Sequence, residues 1–204
     1  SEALRLDGLT VGYDAPLLHA LDLTLAAGAR VAVMGPNGAG KSALLRTITG
    51  EIAPLDGRVQ VAGSVQSGYL AQEQDVLDPE STPLATIQRE RRMTETEARS
   101  FLHFFLFAGD DALRPNAALS YGERARLMLA RLVARGANLL VMDEPLNHLD
   151  LPSREQFEQA LENFPGSVLA VVHDRYFVER LCTAVWHVEE GDVAVELLAA
   201  AVEG

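Results

Sequence analysis

Hydrophobic and polar positions change period several times along the chain, and each change marks an element. Leu21-Asp22-Leu23-Thr24-Leu25 alternates, the two-residue period of a strand with one wet face. Arg30-Val31-Ala32-Val33-Met34 is nearly continuous in apolar character and runs into glycines, as a buried parallel strand does. Ala43 to Ile48 has helical spacing, and Gly50 closes it. Short strands are predicted around Val59-Gln60-Val61 and Gly68-Tyr69-Leu70, with a turn at Pro54-Leu55-Asp56-Gly57. Residues from about 83 to 108 read as helical. Thr94 and Glu97 fit a capping box there, with Ala98, Phe101, Leu102, Phe105 and Leu106 on one face. A helix over 121–135 precedes the apolar strand Leu139-Leu140-Val141-Met142. A second capping box, Ser153 with Gln156, opens a helix to about Phe164, and Val168–Val172 is the next strand. Strands alternating with helices imply an α/β fold on a parallel sheet, and the alternating first strands imply an added antiparallel layer.

Composition narrows the function class. The chain has 204 residues, with 17 basic and 29 acidic side chains for a formal charge of −12, which argues against a nucleic-acid-coating protein. Sixteen of the 17 cations are Arg; the one Lys is Lys41. Arg89, Arg91 and Arg92 are interleaved with Glu90 and followed by Glu95 and Glu97, the pattern of a solvated helix face. Cys182 has no possible disulfide partner in the chain and is expected to be a small buried residue in a reducing cytoplasm. No apolar stretch approaches the roughly 18 residues that cross a bilayer. The start, Ser1-Glu2-Ala3-Leu4, shows no secretory pattern, and without an initiator Met the natural chain is expected to be longer. The phenylalanines at 101, 104, 105 and 107 are expected to be core, and His19, His103 and His187 are given no role.

Chemistry enters at Gly35-Pro36-Asn37-Gly38-Ala39-Gly40-Lys41-Ser42, a G-x-x-x-x-G-K-[ST] run between a predicted strand and a predicted helix. Glycines at this spacing let backbone N–H groups curl around phosphate oxygens, and a helix N-terminus adds positive potential. Lys41 is placed to reach the outer phosphates and Ser42 to ligate Mg²⁺. At the far end of the strand ending at Met142 stand Asp143 and Glu144, where α/β sheets bind ligands. Asp143 is read as a Mg²⁺ partner, and Glu144 as the group that orients or deprotonates an attacking water.

With these motifs in order, the chain resembles the nucleotide-binding domain of the ATP-binding-cassette superfamily over nearly its whole length. The resemblance implies a P-loop NTPase core with a parallel sheet, an antiparallel β layer and a small helical subdomain. The core would be residues 1–74 and 119–204, and the subdomain about 75–118, within one domain of 1–204. Tyr69-Leu70-Ala71-Gln72 looks like the family's Q-loop, with Gln72 sensing Mg²⁺ and the water. Leu119-Ser120-Tyr121-Gly122-Glu123 is similar to the signature motif, in which Ser120 and Gly122 serve a partner's ATP. Asn147-His148-Leu149-Asp150 resembles the D-loop. His173 matches the switch histidine, and Tyr13 sits where an aromatic side chain meets adenine. His148 has two readings, a cap on the next helix or a catalytic group.

The runs LLVMDEPLNHLD (139–150) and HDRYF (173–177) are similar to the ABC-F branch, whose soluble members act on ribosomes. Phe105-Leu106-Phe107 before Gly109-Asp110 resembles that branch's helical subdomain. The resemblance implies a cytoplasmic Mg-ATP-binding ATPase that needs a second cassette, in the same chain or a homodimer, and a ribosome for the full-length protein. It would be a translation or antibiotic-resistance factor, represented by its second cassette. The competing readings are an ATPase subunit of a membrane transporter and a regulatory ATP-binding module with little turnover. Two positions depart from the family pattern. Ala43 replaces a hydroxyl next to an inner phosphate, and Tyr121 replaces a signature glycine where the backbone must approach the partner's γ-phosphate.

Overall fold

A strand that buries one face should alternate strictly, yet β1 (Glu2–Gly12) buries Leu4, Leu6, Leu9 and Val11. The parity changes between Leu6 and Leu9, which face Leu23 and Leu21 of β2 (Pro16–Ala26), so three steps on one strand match two on the other. This is a bulge at Asp7-Gly8, where Gly8 adopts φ 54°, and it returns the leucines to one face. The structure is a computed structural model that describes residues 1–71 and 76–199. It divides into two units. The first comprises Ser1–Tyr69, Asn138–Glu144 and the described part of Gly166–Gly204; the second comprises the described part of Leu70–Ala137, and Pro145–Pro165.

In the first unit, β1 is the centre of a three-stranded antiparallel sheet ordered β2-β1-β4, with β4 spanning Asp56–Val61. The second sheet has six strands. Its order is β5 (Ser67–Leu70), β6 (Leu139–Asp143), β7 (Ser167–Val171), β3 (Arg30–Met34), β8 (Ala184–Glu189) and β9 (Asp192–Leu197). The antiparallel hairpin β8–β9 forms one edge, while β6, β7, β3 and β8 run parallel. Continuous apolar runs fit this centre: Val31–Val33, Leu139–Met142 and Val168–Val171 are all buried. α1 (Lys41–Ile48) places Ala43, Leu44, Leu45 and Ile48 in the core that joins both sheets, along with Trp186. Cys182 follows α6 (Arg175–Leu181), whose N-cap is Asp174, and burial pushes its thiol up to about 12, so it is packing and not a nucleophile.

The second unit is helical: α2 (Pro83–Glu90), α3 (Glu95–Phe104), two 3₁₀ turns (Gly109–Leu113 and Asn116–Ala118), α4 (Tyr121–Ala134) and α5 (Leu151–Glu162). Four expectations change here. The 83–108 stretch is two helices, because the Thr94 capping box begins a new one after Arg91 leaves helical geometry. The Ser153–Gln156 box does not form. Asp150 caps α5 instead, its carboxylate accepting from the Ser153 N–H at 2.9 Å, with Pro152 in the first turn. That settles the cap reading of His148 as well. Phe104 is 60% exposed and not core, since α3 buries Ala98 and Leu102 on its other side.

Arg126, 4% exposed on α4, donates to the Phe105 and Leu106 carbonyls at 2.8 and 3.0 Å and stacks over the Phe107 ring. It pins a turn in which Leu106 has φ 66°. Glu90 is likewise held and not part of a solvated face. Arg131 donates to it at 3.0 and 2.9 Å, and Arg135 at 2.6 and 3.0 Å. A carboxylate at the C-terminus of α2 opposes the helix dipole, and the two guanidiniums one turn apart on α4 compensate. They, Arg135 foremost, hold the Glu90 carboxyl below its ordinary range. Its contribution is therefore fully present above the unfolded carboxyl value and is lost as pH falls through the lowered folded one. Glu90→Gln is expected to cost about 1–3 kcal/mol at pH 7. The gap in urea midpoint between wild type and variant should narrow toward pH 3, and a gap independent of pH would refute this account.

Candidate nucleotide-binding site

The site grows out of strand register. Parallel pairing sets Asp143 beside Val171 and Val171 beside Val33, so β6, β7 and β3 reach one level together. Neighbouring strands lie about 4.8 Å apart, so whatever comes after each strand is delivered to one edge of the sheet. After β3 comes the glycine loop, after β6 comes Glu144, and after β7 come Val172 and His173.

The loop wraps the N-terminus of α1. Gly35 is required by close approach: a Cβ there would lie 2.3 Å from the Val188 carbonyl oxygen. Gly38 and Gly40 have φ 79° and 105°, and Gly40 is the N-cap of α1. Among the described residues no side chain caps this helix, and the first-turn N–H groups of Lys41, Ser42 and Ala43 have no partner within the helix itself. The loop also folds on itself, the Ala39 N–H donating to the Pro36 carbonyl at 3.3 Å. Lys41 is 6% exposed, and its Nζ donates to the Gly35 and Pro36 carbonyls at 2.7 Å each. Burial lowers its ammonium pKa, and the nearby charges of Glu144 and Asp143 oppose the shift.

A cavity of about 200 Å³ is lined by Tyr13, Asn37, Gly38, Gly40, Lys41, Ser42, Ala43 and Glu144, with Leu17 and Val171 as its apolar wall. Glu144 holds φ 50°, a left-handed backbone that costs a residue with a Cβ about 1–2 kcal/mol. Its N–H donates to the Val171 carbonyl at 2.9 Å, which fixes the turn. His173 Nε2 lies 2.8 Å from Glu144 Oε1, and since an ionised carboxylate only accepts, the imidazole N–H donates.

The predicted residues thus fall into three groups. Tyr13, Gly35 to Ala43, Asp143, Glu144 and His173 are gathered in the first unit. Ser120, Gly122 and Asp150 belong to the second unit, where each has local work. Ser120 forms a reciprocal capping box with Glu123 on α4, a pairing not anticipated from the signature motif, and Asp150 caps α5. Gln72 lies outside the described residues. Leu17 and Val171 were missed because nothing distinguishes a lining apolar residue from any other strand residue.

One sheet edge of the first unit thus carries a buried ammonium, a helix N-terminus and two acids. The ABC transporter family model matches residues 18–147. The chain belongs to the ATP-binding-cassette family. The ABC fold is the consequence, with ATP as the bound nucleotide of an ATPase family. The chain is 43% identical over 198 residues to the ATP-binding protein YdiF of Bacillus subtilis, covering 93% of this chain and 31% of that protein. It is 38% identical over 197 residues to the energy-dependent translational throttle protein EttA of Mycobacterium tuberculosis, covering 93% and 35%. These matches agree with an ABC-F cassette, and the chain spans about a third of the length of the curated relatives it matches. A metal-chelate-type ABC transporter in an inward-facing conformation superposes with TM-score 0.79 at 22% identity, covering 97% of this chain and 84% of that one; this shows the fold alone. Among the described residues, no helix is long and apolar enough to cross a membrane.

Gly122 in the ABC signature has a packing reason within its own unit. A Cβ there would meet the Ser153 Cβ and Oγ at 2.6 Å. Gly122→Ala should destabilise by about 1–3 kcal/mol. Combining it with Ser153→Gly should cost less than the sum of the singles, because the second change vacates the clashing atoms. Strict additivity in urea denaturation would show that the contact is not the cause.

Proposed function

We propose that this cassette binds and hydrolyses Mg-ATP, pairs with a second cassette in the same chain or a homodimer, and drives ATP-dependent action on the ribosome as a cytoplasmic ABC-F translation factor. The observation that carries the hydrolytic part is the His173–Glu144 contact at 2.8 Å on the rim of the Lys41 cavity. It supports Glu144 as the group that takes a proton from the attacking water, with His173 orienting the carboxylate; with ATP bound, the same Nε2–H would turn to a γ-phosphate oxygen. Lys41, the first-turn N–H groups of α1 and the loop amides would bind the β- and γ-phosphates, and Tyr13 would face adenine. Gln72 would help place the water. Ser120, Gly122 and Asp150 would act on the site of the paired cassette.

Magnesium fits the donor set. Among the described residues no three His, Cys, Asp or Glu side chains form a metal site of their own, whereas Ser42 and Asp143 offer hard oxygens. An ion held there with water and phosphate oxygens would neutralise developing charge on the phosphate. The ribosomal part is supported by the kinship with a translational throttle protein and by the LLVMDEPLNHLD and HDRYF runs. The charge of −12 agrees with an ATP engine whose RNA contacts lie in other segments.

Glu144→Gln should reduce Mg²⁺-dependent phosphate release by about 10²-fold or more while ATP still binds. Retained turnover would remove Glu144 from its role. In the full-length protein the same substitution should raise ATP-dependent co-sedimentation with ribosomes, and no gain over ADP would overturn the ribosomal reading. Lys41→Arg should lose about tenfold or more in ATP affinity despite equal charge, because a planar fork does not fit where a compact ammonium meets two carbonyls at 2.7 Å. Near wild-type binding by calorimetry would contradict that.

A further inference from the structure

One cation near the cavity belongs to none of the motifs. Arg46 stands one helical turn after Ser42 on α1, about 6 Å further along the same face. Its Nη1 donates to the Tyr13 hydroxyl at 3.4 Å, across 33 residues of sequence. Its Nε lies 3.8 Å from Glu51 Oε2. Glu51 is tied to the same residue through the main chain, since the Glu51 and Ile52 N–H groups donate to the Arg46 carbonyl at 2.9 and 3.3 Å. The guanidinium is therefore braced on one side and reaches Tyr13 on the other. The Tyr69 hydroxyl and Arg46 Nε are both buried, so the stem of this side chain is confined. The Tyr69 hydroxyl foremost, then Tyr13 and Glu51, raise the guanidinium pKa above its ordinary value.

A basic residue in the last turn of a helix often serves only the helix dipole. Here the fork leaves the helix end and spends its contacts on Tyr69, Tyr13 and Glu51, of which Tyr13 lines the nucleotide cavity. Tyr13 needs such a hold. It sits between β1 and β2 with 52% of its surface exposed, and a free ring there would lose rotamer entropy each time a ligand ordered it.

We propose that Arg46 is a positioning residue for nucleobase recognition: it holds the Tyr13 ring at the cavity mouth through the phenol oxygen and thereby sets affinity for the base, not for the phosphates. This rests on the ATP-site reading and extends it to a residue outside the P-loop run.

The test compares Kd values for Mg-ATP, Mg-GTP and inorganic triphosphate by calorimetry on the 204-residue chain and its variants. Arg46→Leu and Tyr13→Phe are each expected to weaken ATP by about 3- to 10-fold, the worth of one hydrogen bond. Arg46→Leu should leave triphosphate affinity within about twofold, which also reports an intact P-loop. The double variant should bind ATP no more weakly than the weaker single, since both changes remove one contact. Arg46→Gln, which keeps a donor and tolerates the same surroundings, should recover part of the loss. Equal weakening of ATP and triphosphate by both Arg46 variants, or additive losses in the double, would overturn the proposal. Wild-type protein that binds neither ATP nor triphosphate would overturn the nucleotide site itself, an outcome distinct from a failure of Arg46 alone.

Discussion

The parallel register of β6, β7 and β3 places Asp143, Val171 and Val33 at one level, and the chemistry of the first unit depends on that alignment. Strands that end together release their loops together. The glycine loop, the paired acids and His173 then share one edge of the sheet. A slip of one residue in β6 would turn Asp143 to the other face and carry Glu144 away from the Val171 carbonyl that supports its left-handed backbone. Two-sided burial of the three strands is what makes such a slip costly, because every residue from Leu139 to Met142 is packed.

Electrostatics at this edge are arranged around one buried cation. Lys41 gives up water and recovers two backbone carbonyls, while Glu144 and Asp143 offset part of the burial effect on its charge. The composition acquires a reason here. Sixteen arginines serve surfaces, ion pairs and carbonyl clamps, where a planar fork is an advantage, and the single lysine occupies the position that calls for a compact head on a flexible stem. The Glu90–Arg131–Arg135 cluster and the Arg126 clamp show the opposite case, each relying on several N–H donors of fixed geometry.

In the second unit the motif residues have a structural share in addition to the one their resemblance implies. Ser120 begins α4, Asp150 begins α5, and Gly122 lets those two helices approach through Ser153. Tyr121, in the first turn of α4, is 74% exposed. The departure from glycine therefore places a large side chain mostly in solvent, and its consequences fall chiefly on whatever meets that surface.

Local pattern determined a good deal by itself. The apolar runs located β3, β6 and β7 to within a residue, the G-x-x-x-x-G-K-S spacing marked the glycine loop that leads into α1, and Thr94 with Glu97 marked a true helix start. It misplaced features where two local signals compete. Asp150 took the cap because the helix already starts at Leu151-Pro152, which leaves Ser153 inside its first turn, and the helical period of 83–108 ran across a break that Thr94 itself announces. Phe104 looked like core because a cluster of phenylalanines does not say which side of α3 is covered. What tertiary structure alone decided are the contacts between residues far apart in the chain: His173 with Glu144 across 29 residues, Arg46 with Tyr13 across 33, and the level shared by three strands. Periodicity and spacing reach only a few residues along the chain, whereas strand register is set by packing between segments that the sequence keeps far apart.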